Sequence, residues 1–146
     1  MTRRGQGILV ALAVIMGVAL VAGGVAVLAG TGGGAGAGTN VLRGSGGANK
    51  LIGTNGPDNI NGRGGADEIK GRGDADVLKG GKGGDSIGGG KGFDRLIGGP
   101  GHDRINARDG RPDEINCGAG NDYAKVDRNE DGVYDCEKVR GPRGKN

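Results

Sequence analysis

Six aspartates, Asp58, Asp67, Asp76, Asp85, Asp94 and Asp103, recur at intervals of nine residues, and two places after each stands an aliphatic residue: Ile60, Ile69, Leu78, Ile87, Leu96 and Ile105. A carboxylate is a hard oxygen ligand. Delivered at fixed phase with an apolar anchor and a glycine-rich turn, it suits a hard cation held by stacked coils. The units read GTNGPDNIN from Gly53, GRGGADEIK from Gly62, GRGDADVLK from Gly71, GGKGGDSIG from Gly80, GGKGFDRLI from Gly89 and GGPGHDRIN from Gly98. Backwards, the register reaches Asn49 with Leu51 and Asn40 with Leu42, where amides replace charges. Forwards, one inserted residue precedes Asp113 with Ile115, and the interval of nine then resumes at Asp122 and at Asp131 with Val133. The array therefore runs from about Ala35 to Val133.

Glycine fills the first position of all six units and the fourth of five, the exception being Asp74. Glycine adopts positive φ without a Cβ clash, and Asp tolerates that region better than most residues, so each unit is expected to turn there and to converge its carbonyls. Three residues follow the aspartate. In extended chain the middle one points opposite to its neighbours, which turns Ile60 and its equivalents inward.

These units resemble the hemolysin-type (RTX) calcium-binding repeat, whose nonapeptide G-G-x-G-x-D-x-U-x is matched most closely by GGKGGDSIG, GGKGFDRLI and GGPGHDRIN. The resemblance implies an all-β, right-handed parallel β-roll in which two nonapeptides make one coil and calcium lies between turns stacked on the same side. It pairs Asp58 with Asp76, Asp76 with Asp94, Asp67 with Asp85 and Asp85 with Asp103, and less regularly Asp94 with Asp113 and Asp103 with Asp122. Turn carbonyls, those of Gly56, Gly65, Gly83, Gly92 and Gly101 among them, are implied to complete each coordination shell. Thr54, Arg63 and Arg72 depart from the family pattern at the second glycine. So does the charge: with Arg3 and Arg4 set aside, 18 Lys and Arg face 17 acidic residues, about +1, where family arrays of the toxin and protease type are strongly acidic.

The chain of 146 residues has room for one folded unit, and its 38 glycines would suggest disorder but for the strict period. One inward aliphatic per nine residues buries little apolar surface relative to the chain that must be ordered. Binding energy from ions that only the folded coil can hold is the natural remaining contribution, so folding is expected to depend on calcium.

Residues 1–29 read as a secretory signal peptide or a membrane anchor: Arg3 and Arg4 lead an apolar stretch from Ile8 to Ala29, broken by Gly23 and Gly24. Residues 30–38 are a glycine-rich linker, 39–116 the repeats and 117–146 a C-terminal cap with a basic tail. The repeats are thereby expected outside the cytoplasm, secreted or at the cell surface, with a membrane involved only if the leader is retained. Cys117 and Cys136 are the two cysteines, and an even count in an exported chain favours a disulfide. It would staple the cap over the last coil.

Within the cap, DRNEDGVYDCE places Asp127, Asn129 and Asp131 before Gly132 and ends at Glu137, a run that resembles the start of an EF-hand-type loop and the short Excalibur calcium motif. Lys138 stands where an EF-hand requires its bidentate Glu. The alternative is a solvated cap that merely keeps Asp131 and Val133 in register.

No enzyme is expected. His102, the single histidine, occupies the variable fifth position of its unit, and the period assigns the carboxylates to turns rather than to an acid/base pair. Nucleic acid is disfavoured as a partner because the basic residues are spread through the repeats and one Phe, two Tyr and no Trp provide no stacking platform. Bound calcium would make the coil more positive and so favour an anionic cell-envelope polymer as a partner. The sequence thus points to a secreted calcium-binding repeat protein, with a surface-anchored structural or adhesive module as the alternative.

Overall fold

The computed structural model describes residues 26–29, 38–127 and 132–142, the first four as backbone. The strands are β1 (Ala26–Ala29), β2 (Asn40–Arg43), β3 (Asn49–Ile52), β4 (Asp58–Gly64), β5 (Glu68–Gly73), β6 (Val77–Lys82), β7 (Ser86–Lys91), β8 (Arg95–Gly101), β9 (Arg104–Asn106), β10 (Glu114–Gly120), β11 (Tyr123–Lys125), β12 (Val133–Tyr134) and β13 (Lys138–Arg140). Successive strands alternate between two sheets. One has the order β1-β3-β5-β7-β9-β11-β13 and the other β12-β10-β8-β6-β4-β2, and every pairing is parallel.

This is a β-solenoid in which two nonapeptides make one coil, so residues 18 apart are neighbours: Leu51 opposes Ile69, Ile69 opposes Ile87 and Ile60 opposes Leu78. The inserted residue before Asp113 lengthens one coil and leaves the inward register intact, since Leu96 opposes Ile115 and Ile105 opposes Ala124. Strand alternation explains the core. Leu51, Ile60, Ile69, Leu78, Leu96 and Ile115 are wholly buried between the sheets, and Leu42, Ile87 and Ile105 nearly so.

The stretch after Cys117 is more than a lid. β11 and β13 extend one sheet and β12 the other, so the chain makes a further, shortened coil. A disulfide joins Cys117 on β10 to Cys136, with 5.1 Å between their Cα atoms. Arg108 ties the same coil down by donating to the carbonyls of Val126, Arg140 and Gly141. At the other end β1 pairs with β3, Ala26 opposite Asn49, so four residues that the sequence places at the end of the leader lie in the sheet. Residues 1–25 and 30–37, the rest of the leader and most of the linker, lie outside the described residues.

Candidate metal centre

Each repeat aspartate stands two residues before its core aliphatic, hence on the same face of the pleat, which carries its carboxylate inward. Asp58, Asp67, Asp76, Asp85, Asp94, Asp103, Asp113 and Asp122 are all buried, none more than 4% exposed. They form two columns, one on each side of the coil. In the first, the backbone N–H of Asp58 donates to Asp76 Oδ1 at 2.8 Å, that of Asp76 to Asp94 at 3.0 Å and that of Asp94 to Asp113 at 2.8 Å. In the second, Asn49 donates to Asp67 at 2.7 Å, Asp67 to Asp85 at 2.8 Å, Asp85 to Asp103 at 2.7 Å and Asp103 to Asp122 at 2.8 Å. The expected pairs are therefore neighbours, including the two that span the insertion.

One oxygen of each carboxylate thus holds the coils together, and the other is left over. Oδ2 of Asp67, Asp76, Asp85, Asp94, Asp103, Asp113 and Asp122 is buried with no hydrogen-bond partner. A buried, unpartnered carboxylate oxygen is costly, and its recurrence at seven positions fits a cation rather than a packing accident. The surroundings agree. A Cβ added to Gly62 would collide with both Asp67 Oδ2 and the Gly80 carbonyl oxygen, and the same holds at Gly71 for Asp76 and Gly89, at Gly80 for Asp85 and Gly98, and at Gly98 for Asp103 and Cys117. A carboxylate oxygen and a carbonyl oxygen from the next coil therefore face one small space. Among the described residues no three Asp, Glu, His or Cys side chains converge on a point. A cation here would be held by carboxylate and carbonyl oxygens, the donor type that calcium takes. Bound there, calcium supplies the positive charge these oxygens lack.

Burial raises these carboxyls above the ordinary range: Asp67 and Asp103 to about 6, Asp76 and Asp113 to about 7, with Asp85 and Asp94 also raised. The ladder N–H groups oppose that shift. For Asp67, Asp76, Asp103 and Asp113 the neighbouring carboxylates add to it.

The glycines divide into two kinds, which the repeat pattern alone did not separate. Positive φ falls at the second and fourth positions, as at Gly81 (112°) and Gly83 (120°), and Arg63 (77°), Arg72 (92°) and Asp74 (69°) adopt it there without glycine's freedom. First-position glycines do not; they are glycine because the carboxylate and the carbonyl leave no room for a Cβ. The first-position carbonyls of Gly80, Gly89 and Gly98 accordingly border the same space as Oδ2 of Asp67, Asp76 and Asp85. Of the fourth-position residues, Gly65 and Gly83 direct their carbonyls along the stack toward the glycine of the next coil, and the Gly56 carbonyl accepts from Thr54 Oγ1.

Two acidic residues of the cap meet backbone donors. Asp127 Oδ2 accepts from the N–H groups of Asp109 and Gly110, and Glu137 Oε2 accepts from Asp122 N–H at 2.7 Å, taking the place of the next aspartate in its column. Asn129 and Asp131 lie outside the described residues. His102 is exposed, its Nδ1 accepting from Asn121 N–H.

Parallel coils, buried carboxylate columns and glycine cradles define a calcium-binding β-solenoid. Its family is shown by the RTX calcium-binding nonapeptide repeat model, which matches four overlapping stretches, residues 34–56, 52–87, 80–112 and 88–124. These cover more than half of the chain, and the chain belongs to that family, whose nonapeptides bind calcium ions and serve structure rather than catalysis. Comparison with curated proteins and with solved structures gave no match.

Proposed function

We propose that this protein is an exported calcium-binding repeat protein whose solenoid folds around ions held at Asp67, Asp76, Asp85, Asp94, Asp103, Asp113 and Asp122. The observation that carries the reading is the set of buried Oδ2 atoms without partners, those of Asp67, Asp76, Asp85 and Asp103 each beside a glycine whose missing Cβ leaves a space bounded by oxygen. Calcium would neutralise the carboxylate and draw the carbonyl of the next coil toward it, so each ion aligns the strands beside it. Export supports the reading because extracellular calcium is high enough to fill modest sites, and the apolar leader supplies a route. Calorimetric titration should show several ions per chain, and far-UV circular dichroism should show β-structure lost on calcium depletion. No heat of binding together with an unchanged spectrum would sink the proposal.

A second reading, a surface module that contacts an anionic envelope polymer, is favoured by the outer face of the seven-stranded sheet. Ser86 and Gly88 leave a trough of about 610 Å³ there, edged by Lys70, Arg104, Lys125 and Arg140 with Tyr123 between them. Glu68, the acid in that trough, is already engaged by Lys50 and Lys70 at 2.8 Å each. Arg104, Lys125 and Arg140 have no carboxylate partner among the described residues, and Lys125 and Arg140 are register partners on adjacent parallel strands, about 4.8 Å apart at the backbone. A linear acidic polysaccharide should bind the calcium-loaded protein in a salt-sensitive way, and Lys125→Glu with Arg140→Glu should abolish binding. Equal binding by the double variant rejects this face as the contact.

A further inference from the structure

We infer that the first two turns are closed by their own backbone in place of calcium, and that Thr54 marks where ion binding begins. The inference rests on the reading of the orphaned aspartate oxygens as calcium ligands.

The cradle itself is present in both turns. Beside Gly53 the space is bounded by Asp58 Oδ2 and the Gly71 carbonyl, and beside Gly44 by Asn49 Oδ1 and the Gly62 carbonyl, as beside Gly62, Gly71, Gly80 and Gly98 further along. What differs is the occupant. Thr54 N–H donates to Asp58 Oδ2 at 2.6 Å, and Ser45 N–H donates to Asn49 Oδ1 at 2.6 Å. Asp58 Oδ2 is accordingly absent from the unpartnered oxygens that recur from Asp67 onward.

In the turns of the nine-residue units the second residue decides the outcome. Arg63, Arg72, Gly81, Gly90, Gly99 and Gly118 have φ between 77° and 118°, and there strands run on through the turn, pairing Arg63 with Gly81, Arg72 with Gly90 and Gly99 with Gly118. Their N–H groups do not reach the carboxylate of their own unit. Thr54 and Ser45 are not in that region, and β2 and β3 stop short of them at Arg43 and Ile52. Their hydroxyls fix the alternative by accepting the N–H of Gly56 at 3.1 Å and of Gly47 at 3.2 Å. Threonine's branched Cβ also disfavours positive φ. With Asn40 Nδ2 donating to its Oδ1 at 2.7 Å, Asp58 has donors on both oxygens, and the Thr54 N–H stands where an ion would approach Oδ2. A solenoid needs its terminal coil finished, and this coil is finished by hydrogen bonds.

The test is a calcium count by equilibrium dialysis on the full chain, for the wild type, Thr54→Gly, Thr54→Ala, Asp58→Asn and Asp76→Asn. Thr54→Gly frees the turn to adopt positive φ and should bind one ion more than wild type. Thr54→Ala keeps the N–H in place and should bind the same number. Asp58→Asn, whose amide oxygen still accepts that N–H, should leave the count unchanged, whereas Asp76→Asn should lower it by one. An unchanged count in Thr54→Gly, or a lost ion in Asp58→Asn, overturns the inference. A wild type that binds no calcium overturns instead the reading on which it rests.

Discussion

Each repeat aspartate divides its work between two oxygens, and substitution can separate them. In Asp85→Asn the amide oxygen can still accept the Asp67 N–H that Asp85 Oδ1 takes at 2.8 Å, while the orphaned Oδ2 loses its charge. One calcium ion should be lost, yet the calcium-depleted protein should melt higher than wild type, because a neutral amide replaces a desolvated carboxylate. Asp85→Ala removes both functions and strands a buried N–H, at a cost of about 1–3 kcal/mol. Melting temperatures with and without calcium, read beside ion counts, distinguish the two; if both variants destabilise the depleted protein equally, the division of labour is wrong. At this scale the sequence was informative about which side chains matter, because a period of nine exposes a carboxylate wherever it recurs. It was silent on the carbonyls of Gly80, Gly89 and Gly98, since a backbone atom leaves no letter in the sequence. Asp127 and Glu137 stand outside the period, and only the folded coil shows them accepting backbone N–H groups.

At the scale of the strand and its turn, glycine at the first position and glycine on the outer face look alike in sequence and differ in consequence. A Cβ at Gly80 would strike Asp85 Oδ2 and lie 2.8 Å from the Gly98 carbonyl, whereas at Gly88 its nearest neighbour is the Ile69 carbonyl at 4.0 Å. Gly80→Ala should therefore lower both calcium affinity and thermal stability, and Gly88→Ala should leave both near wild type. Circular dichroism melts and calcium titration check the pair; tolerance of Gly80→Ala would mean that the cradle is not tight. The strands themselves were readable from Ile60, Ile69 and Leu78, because alternation requires one inward residue in each short run and all three are wholly buried. The turns were readable only in part. Thr54 and Arg72 break the glycine pattern at the same position, yet Arg72 adopts a φ of 92° and Thr54 donates its N–H to Asp58. The choice follows side-chain chemistry that a break in the glycine pattern does not spell out: the threonine hydroxyl accepts the Gly56 N–H and its branched Cβ disfavours positive φ, whereas arginine has neither feature.

For the whole molecule, desolvation of carboxylates stacked in two buried columns opposes folding, and protons can relieve that cost as bound calcium would. Asp76 and Asp113 are raised to about 7 and Asp67 and Asp103 to about 6, chiefly by burial, against about 4 in an unfolded chain. The folded state thus holds these protons more tightly than the unfolded one. Their stabilising contribution is fully present below about pH 4 and is lost as the pH rises through 6 to 7. Glu68 and Glu137 shift the other way, the first held down by Lys50 and the second by the Asp122 N–H, so their contributions persist until the pH falls below the normal carboxylate range. Near pH 5 most of the first contribution and nearly all of the second remain. Calcium-depleted protein should accordingly gain β-structure and melt higher at pH 5 than at pH 8, while the calcium concentration needed for half-saturation rises over the same interval because protons compete for the same oxygens. Far-UV circular dichroism of resin-depleted protein across this range decides the matter. A depleted chain that is less folded at pH 5 than at pH 8 would show that carboxylate desolvation is not what calcium relieves.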